Sequence, residues 1–161
     1  MSKSISVPRQ SLSLEVIRSL HIVAHQTDEL FDAILRTKFN LTLARFRILM
    51  PLIEFGGITQ AEIARFNFQT EASIARQVHF LVQDGYIKRV QDKTDGRKFL
   101  LSVTPKTESL LHTIKYALAE EIDGLYRENI SRSELGTLLE LTKKLRTAGE
   151  SRGGILFPCG N

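Results

Sequence analysis

The sequence predicts a mainly α fold with a single two-stranded β-hairpin. Three observations carry that prediction. Apolar residues recur at helical spacing along most of the chain. Capping residues, glycines and a Thr-Pro pair cut the chain into segments of helix length. Only two short runs, Tyr86 to Val90 and Phe99 to Val103, are extended in character.

The first segment runs from about Leu12 to Phe39. Val16, Leu20, Val23, Thr27, Leu30 and Ile34 form a nearly heptad-like seam, and Ile17, Ala24, Phe31 and Leu35 lie beside it. This apolar arc is too wide for a solvent-facing helix. It fits packing on its own domain, on a second subunit, or on both. Asn40-Leu41-Thr42 breaks the helix, and Thr42 can cap the next, Leu43 to Phe55. Phe46, Leu49, Leu52 and Ile53 are its expected buried stripe. Pro51 lies inside it and should kink it. Gly56-Gly57 ends it.

Thr59 and Glu62 then read as a capping box, opening a short helix to about Phe66. Asn67-Phe68-Gln69 is a tight turn. Thr70 caps the following helix, whose buried face is Ile74, Val78 and Leu81, and Asp84-Gly85 stops it. The hairpin comes next, with a polar tip from Gln91 to Lys98. Thr104 and Pro105 start a helix running to about Glu128, with a stripe of Leu110, Leu111, Ile114, Leu118, Ile122 and Leu125. Ser131 and Glu134 form a second capping box. The last helix, to about Thr147, carries Leu135, Leu138, Leu139, Thr142 and Leu145.

The chain has 161 residues, 42% of them hydrophobic. That length buries a core without disulfide or metal staples. With 25% charged residues beside that apolar content, the composition is ordinary for a globular protein and excludes wholesale disorder. No apolar run approaches the roughly 20 residues that span a bilayer. Met1 to Gln10 lacks the apolar stretch of a secretory signal, so the expected location is the cytoplasm. Cys159 is the single cysteine and cannot form an internal disulfide.

Net charge is +4, and its location matters more than its size. Residues 41–104 hold nine basic and six acidic groups. The hairpin alone, Tyr86 to Lys98, carries Lys88, Arg89, Lys93, Arg97 and Lys98 against Asp92 and Asp95. On its own such a run is an ordinary solvated hairpin. Here it follows a helix, a short helix, a tight turn and a capped helix, and that order is a winged helix-turn-helix. The turn lets the capped helix protrude so that it can enter a major groove. The basic tip can approach the neighbouring backbone or a narrow minor groove.

At Leu41-Thr42, Phe46, Leu49, Thr59 to Ala64, Leu81 to Arg89, Asp95-Gly96-Arg97 and Val103 to Lys106, the sequence resembles the MarR family of bacterial transcriptional regulators. It departs from the family's pattern at Gly96, at Ser73-Ile74-Ala75-Arg76, at Phe80 and at Thr107. The resemblance implies a homodimer on pseudo-palindromic promoter DNA, and repression relieved by a small ligand. It divides the chain into a flexible arm (1–10), a dimerisation helix (11–40), a DNA-binding lobe (41–104), dimerisation helices (105–147) and a tail (148–161).

The expected DNA contacts are Thr70, Ser73, Arg76 and Gln77 on the recognition helix and Lys93, Arg97 and Lys98 on the wing. Arg76 suits a guanine or a phosphate. The lysines supply sequence-independent phosphate attraction. Asp95 is expected to brace Arg97, because a carboxylate facing phosphates is repelled. For an aromatic-acid or related effector the candidate residues are His21, His25, Arg45, Phe46 and Arg47, since arginine suits bidentate carboxylate recognition and Phe46 can cradle a ring. His21 and His25 are spaced i, i+4, with Asp28 and Glu29 one turn on and His112 on a later helix. The alternative of a metal-responsive regulator rests on these, although no metal site or cofactor is assigned. The plainer reading of both histidines is a surface or interface pair. Redox sensing by Cys159 lacks a neighbour that would lower its pKa. No nucleophile triad, phosphate loop or carboxylate pair stands out, so no enzyme is expected. A winged helix used only for protein contacts is the remaining alternative.

Overall fold

A computed structural model describes residues 11–92, 95 and 98–150, the side chain of Glu150 excepted. The arm at 1–10, Lys93, Arg97 and Cys159 lie outside the described residues. The order is α1 (Leu12–Phe39), α2 (Leu43–Phe55), α3 (Gln60–Phe66), α4 (Glu71–Gln83), β1 (Ile87–Gln91), β2 (Phe99–Val103), α5 (Pro105–Tyr126) and α6 (Arg132–Glu150). The chain divides into two compact units between Leu43 and Ala44.

The first unit is α1 and the turn after it. Asn40 takes a left-handed conformation (φ 50°) and ends the helix. Leu41 N–H then donates to Leu35 C=O at 3.1 Å. Along the predicted seam only Ile34 is buried, together with its neighbour Leu35. Val16, Ile17, Ile22 and Val23 stand exposed. Asp32 bridges two groups: Arg36 Nε donates to one carboxylate oxygen, and Leu43 N–H donates to the other at 2.8 Å. Those bonds, the Arg36 one foremost, hold the Asp32 carboxyl below its usual range.

In the second unit, α2 is continuous through the buried Pro51. Its core residues include Ile48, which the apolar stripe omitted, as well as Phe46, Leu49 and Leu52. Phe55, at the end of α2, stacks on Phe66, at the end of α3, with centroids 5.2 Å apart and planes 5° from parallel. α3 packs on α4, and α4 packs on β1. The strands pair antiparallel, Ile87 opposite Val103 through Gln91 opposite Phe99. A further bridge joins them: Ile58 and Leu101 exchange N–H···O=C bonds of 3.3 and 2.8 Å. Gly57 permits this approach, because a Cβ there would stand 3.2 Å from Leu100 Cβ.

α4 ends in a Schellman motif. Gly85, at φ +75°, donates to Val82 C=O, and Tyr86 N–H donates to Leu81 C=O at 2.8 Å. Tyr86 is therefore part of the helix stop, and β1 starts at Ile87, one residue later than expected. Thr104 fastens the far side of the hairpin. Its N–H donates to Tyr86 C=O and its hydroxyl donates to Gly85 C=O, both at 3.0 Å. The same hydroxyl oxygen caps α5 by accepting from Thr107 N–H. Thr107, a departure from the family's pattern, is buried with its hydroxyl 3.0 Å from that of Thr104.

α5 ends two residues short of the expected Glu128. Its stripe is buried at Leu111, Ile114 and Leu118, but Leu125 is exposed. Ser131 and Glu134 form the expected reciprocal bonds at the start of α6. α6 continues to Glu150, beyond the expected end at Thr147. An isolated glycine costs a helix only about 1 kcal/mol relative to alanine, so Gly149 does not stop it. No helix among the described residues is long and apolar enough to cross a membrane.

Candidate nucleic-acid interface

The protruding helix is held from below and capped from above. Ile74, Val78 and Leu81 are fully buried and fix its inner face. The short helix before it is anchored by its capping box. Thr59 Oγ1 accepts from Glu62 N–H, while Glu62 Oε2 accepts from Thr59 N–H at 2.7 Å. Hydrogen bonds from the Thr59 hydroxyl and then its backbone N–H hold the Glu62 carboxyl below the ordinary glutamate range.

The turn is built by backbone bonds. Asn67 N–H reaches Ile63 C=O at 3.0 Å and Gln69 N–H reaches Ala64 C=O at 3.0 Å. Phe68 between them takes a positive φ of 51° and stands exposed. This is an uncommon backbone conformation for a bulky residue. Thr70 Oγ1 accepts from Ser73 N–H at 3.3 Å, so the threonine is the helix cap.

On the outer face, Ser73 Oγ donates to Gln69 Oε1 at 3.1 Å, and Gln77 Nε2 donates to the same oxygen at 3.1 Å. Arg76 is exposed one position from Gln77. The structure thus places Thr70, Ser73, Arg76 and Gln77 on α4 or at its cap, clear of the buried stripe. It adds Gln69, which the sequence reasoning missed. Gln69 lies in the turn before the Thr70 cap, outside the helix whose phase places Ser73 and Gln77.

On the wing, Asp92 N–H donates to Lys98 C=O and Lys98 N–H donates to Asp95 C=O, both at 2.9 Å. Lys98 Nζ stands 3.6 Å from the Asp95 carboxylate. Lys98 is thus one partner of Asp95, and the expected brace on Arg97 falls outside the described residues. Lys88, Arg89 and Lys98 are exposed.

The expected effector residues fall in both units. His21 and His25 are on α1, both exposed, and His25 Nε2 lies 3.5 Å from Glu29. Arg45, Phe46 and Arg47 are consecutive on α2, so their side chains leave the helix about 100° apart. Arg45 is held by Asp84, the C-cap of α4, at 3.2 Å. Phe46 is buried and Arg47 exposed. No group of three or more His, Cys, Asp or Glu among the described residues is arranged to hold a metal ion. A cavity of about 640 Å³ lies at the α5–α6 elbow, lined by residues that include Ile122, Tyr126, Arg127 and Leu135.

A short helix, a tight turn, a protruding helix and an antiparallel hairpin define a winged helix-turn-helix. Residues 39–98 match the protein-family model described as MarR family. An uncharacterized HTH-type transcriptional regulator of Bacillus cereus is 28% identical over 131 residues, 80% of this chain and 84% of that protein. The regulator BldR of Sulfolobus solfataricus superposes with a TM-score of 0.75 at 20% identity, covering 88% of this chain and 99% of that one. A mutant MarR of Escherichia coli in complex with operator DNA does so with 0.71 at 21% identity, covering 86% and 99%. Residues 39–98 thus form a winged helix of the kind the MarR family model describes.

Proposed function

We propose that this chain is a DNA-binding transcriptional regulator that works as a homodimer on a pseudo-palindromic site. The observation that carries the proposal is the division of α4. One face is fully buried, and the opposite face presents Ser73, Arg76 and Gln77 outward beside a basic hairpin. A helix presented this way fits a major groove, and the hairpin lysines add phosphate attraction. The superposition on a MarR mutant solved with operator DNA supports the same reading.

The dimer is supported by apolar surface. Leu135, Leu138, Leu139, Leu141 and Leu145 of α6 are all exposed in the single chain. Such a row on one helix marks an association surface. Two recognition helices would then meet half-sites about 10–10.5 bp apart. We assign the protein repression relieved by a small acidic effector, which must bind better to a dimer misfitted to DNA. Such an effector would compete with Asp84 for Arg45.

The test is a fluorescence anisotropy titration on the duplex upstream of the protein's own gene, with random duplex as competitor at one stated salt. Competitor-resistant binding is expected, and Arg76→Ala should weaken it by about 1–3 kcal/mol. Binding lost to competitor in every upstream fragment would favour a winged helix used for protein contacts.

A further inference from the structure

The Gln69–Ser73–Gln77 cluster fixes more than a location. Gln69 Oε1 accepts from both Ser73 Oγ and Gln77 Nε2 at 3.1 Å. A carboxamide oxygen has two lone pairs, so this one is saturated. Three consequences follow from donor and acceptor counting. The Ser73 hydroxyl hydrogen is spent, leaving that oxygen as an acceptor. Gln69 can offer only its N–H donors outward. Gln77 is held in one amide orientation, with Oε1 and its second N–H without a partner among the described residues.

A side-chain amide that offers one acceptor and one donor side by side matches the major-groove edge of adenine. There Oε1 accepts from N6–H₂ and Nε2–H donates to N7. A free glutamine rotates its amide and offers the two groups in either order. The bond to Gln69 removes that freedom before DNA arrives, so the ordering cost is met during folding.

We infer that Gln77 reads an adenine in each half-site and that Gln69, from the turn, is the positioning residue that sets its amide. This rests on the DNA-binding reading above. A good bidentate contact discriminates against the wrong base on the order of 5- to 150-fold.

The experiment is selection from a duplex library randomised across both half-sites, at one stated salt. Wild type is compared with Gln77→Met, Gln69→Met and Gln77→Glu, each first shown by circular dichroism to keep its helix content. Wild type should enrich adenine at one position per half-site. Gln77→Met should lower that preference at least fivefold at that position alone. Gln69→Met, which touches no base in this account, should lower the preference at the same position. Gln77→Glu, which can only accept, should move it toward cytosine and its N4 donor. If wild type selects a site but Gln77→Met leaves every position as it was, the inference falls and the DNA-binding reading stands. It falls equally if Gln69→Met weakens all sequences evenly, as a merely structural residue would. If wild type enriches no sequence at all, both fall.

Discussion

In α4 the apolar residues Ile74, Val78 and Leu81 are wholly buried within one chain, whereas in α6 Leu138, Leu139 and Leu145 remain 44–55% exposed. Both helices have an apolar face at helical spacing, and both start from a side-chain cap. Periodicity therefore announces that a face must be covered, but not by what. α4 is completed by α3 and β1 of its own chain. The apolar face of α6 stays exposed in the single chain, and the dimer proposed above would cover it. The winged helix is therefore packed within one chain, whereas α6, on the proposed reading, waits for a second copy.

The comparison sharpens most at the buried end. Leu81→Ala removes a fully buried side chain from α4 and should destabilise the protein by about 2–5 kcal/mol in urea unfolding. A cost near zero would mean that α4 does not rest on a packed core. At the other end, the double variant Leu138→Glu, Leu139→Glu should leave helix content intact but abolish dimers in sedimentation. Losing two-headed binding should lower operator affinity on the order of 100-fold or more. Unchanged dimer mass would break the contrast between the helices.

Smaller effects probe how the head is held. Thr70→Ala removes the α4 cap and should cost about 1 kcal/mol, seen as a lower urea midpoint. The smallest effect concerns pH. The Glu62 carboxyl is lowered in the folded protein relative to its ordinary value of 4.5. Its contribution to stability is thus fully present above that value and lost as pH falls through the lowered folded value. Glu62→Gln should be less stable than wild type at neutral pH and should narrow that gap in acid. A gap that is constant with pH would show that the carboxylate is not what holds the cap.

Much of the fold was legible because its signals are local. Thr59 with Glu62, Thr70 with Ser73, and Thr104 followed by Pro105 place three helix starts within four residues of sequence. The stripe Ile74–Val78–Leu81 followed from spacing alone. What escaped were bonds between residues far apart in sequence. The bridge from Ile58 to Leu101 and the bond from Leu43 N–H to Asp32 leave no periodic trace. The functional face was partly legible for the same reason. Ser73, Arg76 and Gln77 follow from the position of the buried stripe. Gln69 sits in a turn, where helical phase is not counted, and its role appears only when its oxygen is seen to receive two donors.

The measurement that tests the account most directly is sedimentation velocity of the protein alone and with its upstream duplex. The account predicts a species of twice the 18.2 kDa chain mass at micromolar concentration, and two chains on each bound duplex. A single 18.2 kDa species that binds one chain per duplex, or none, would contradict it.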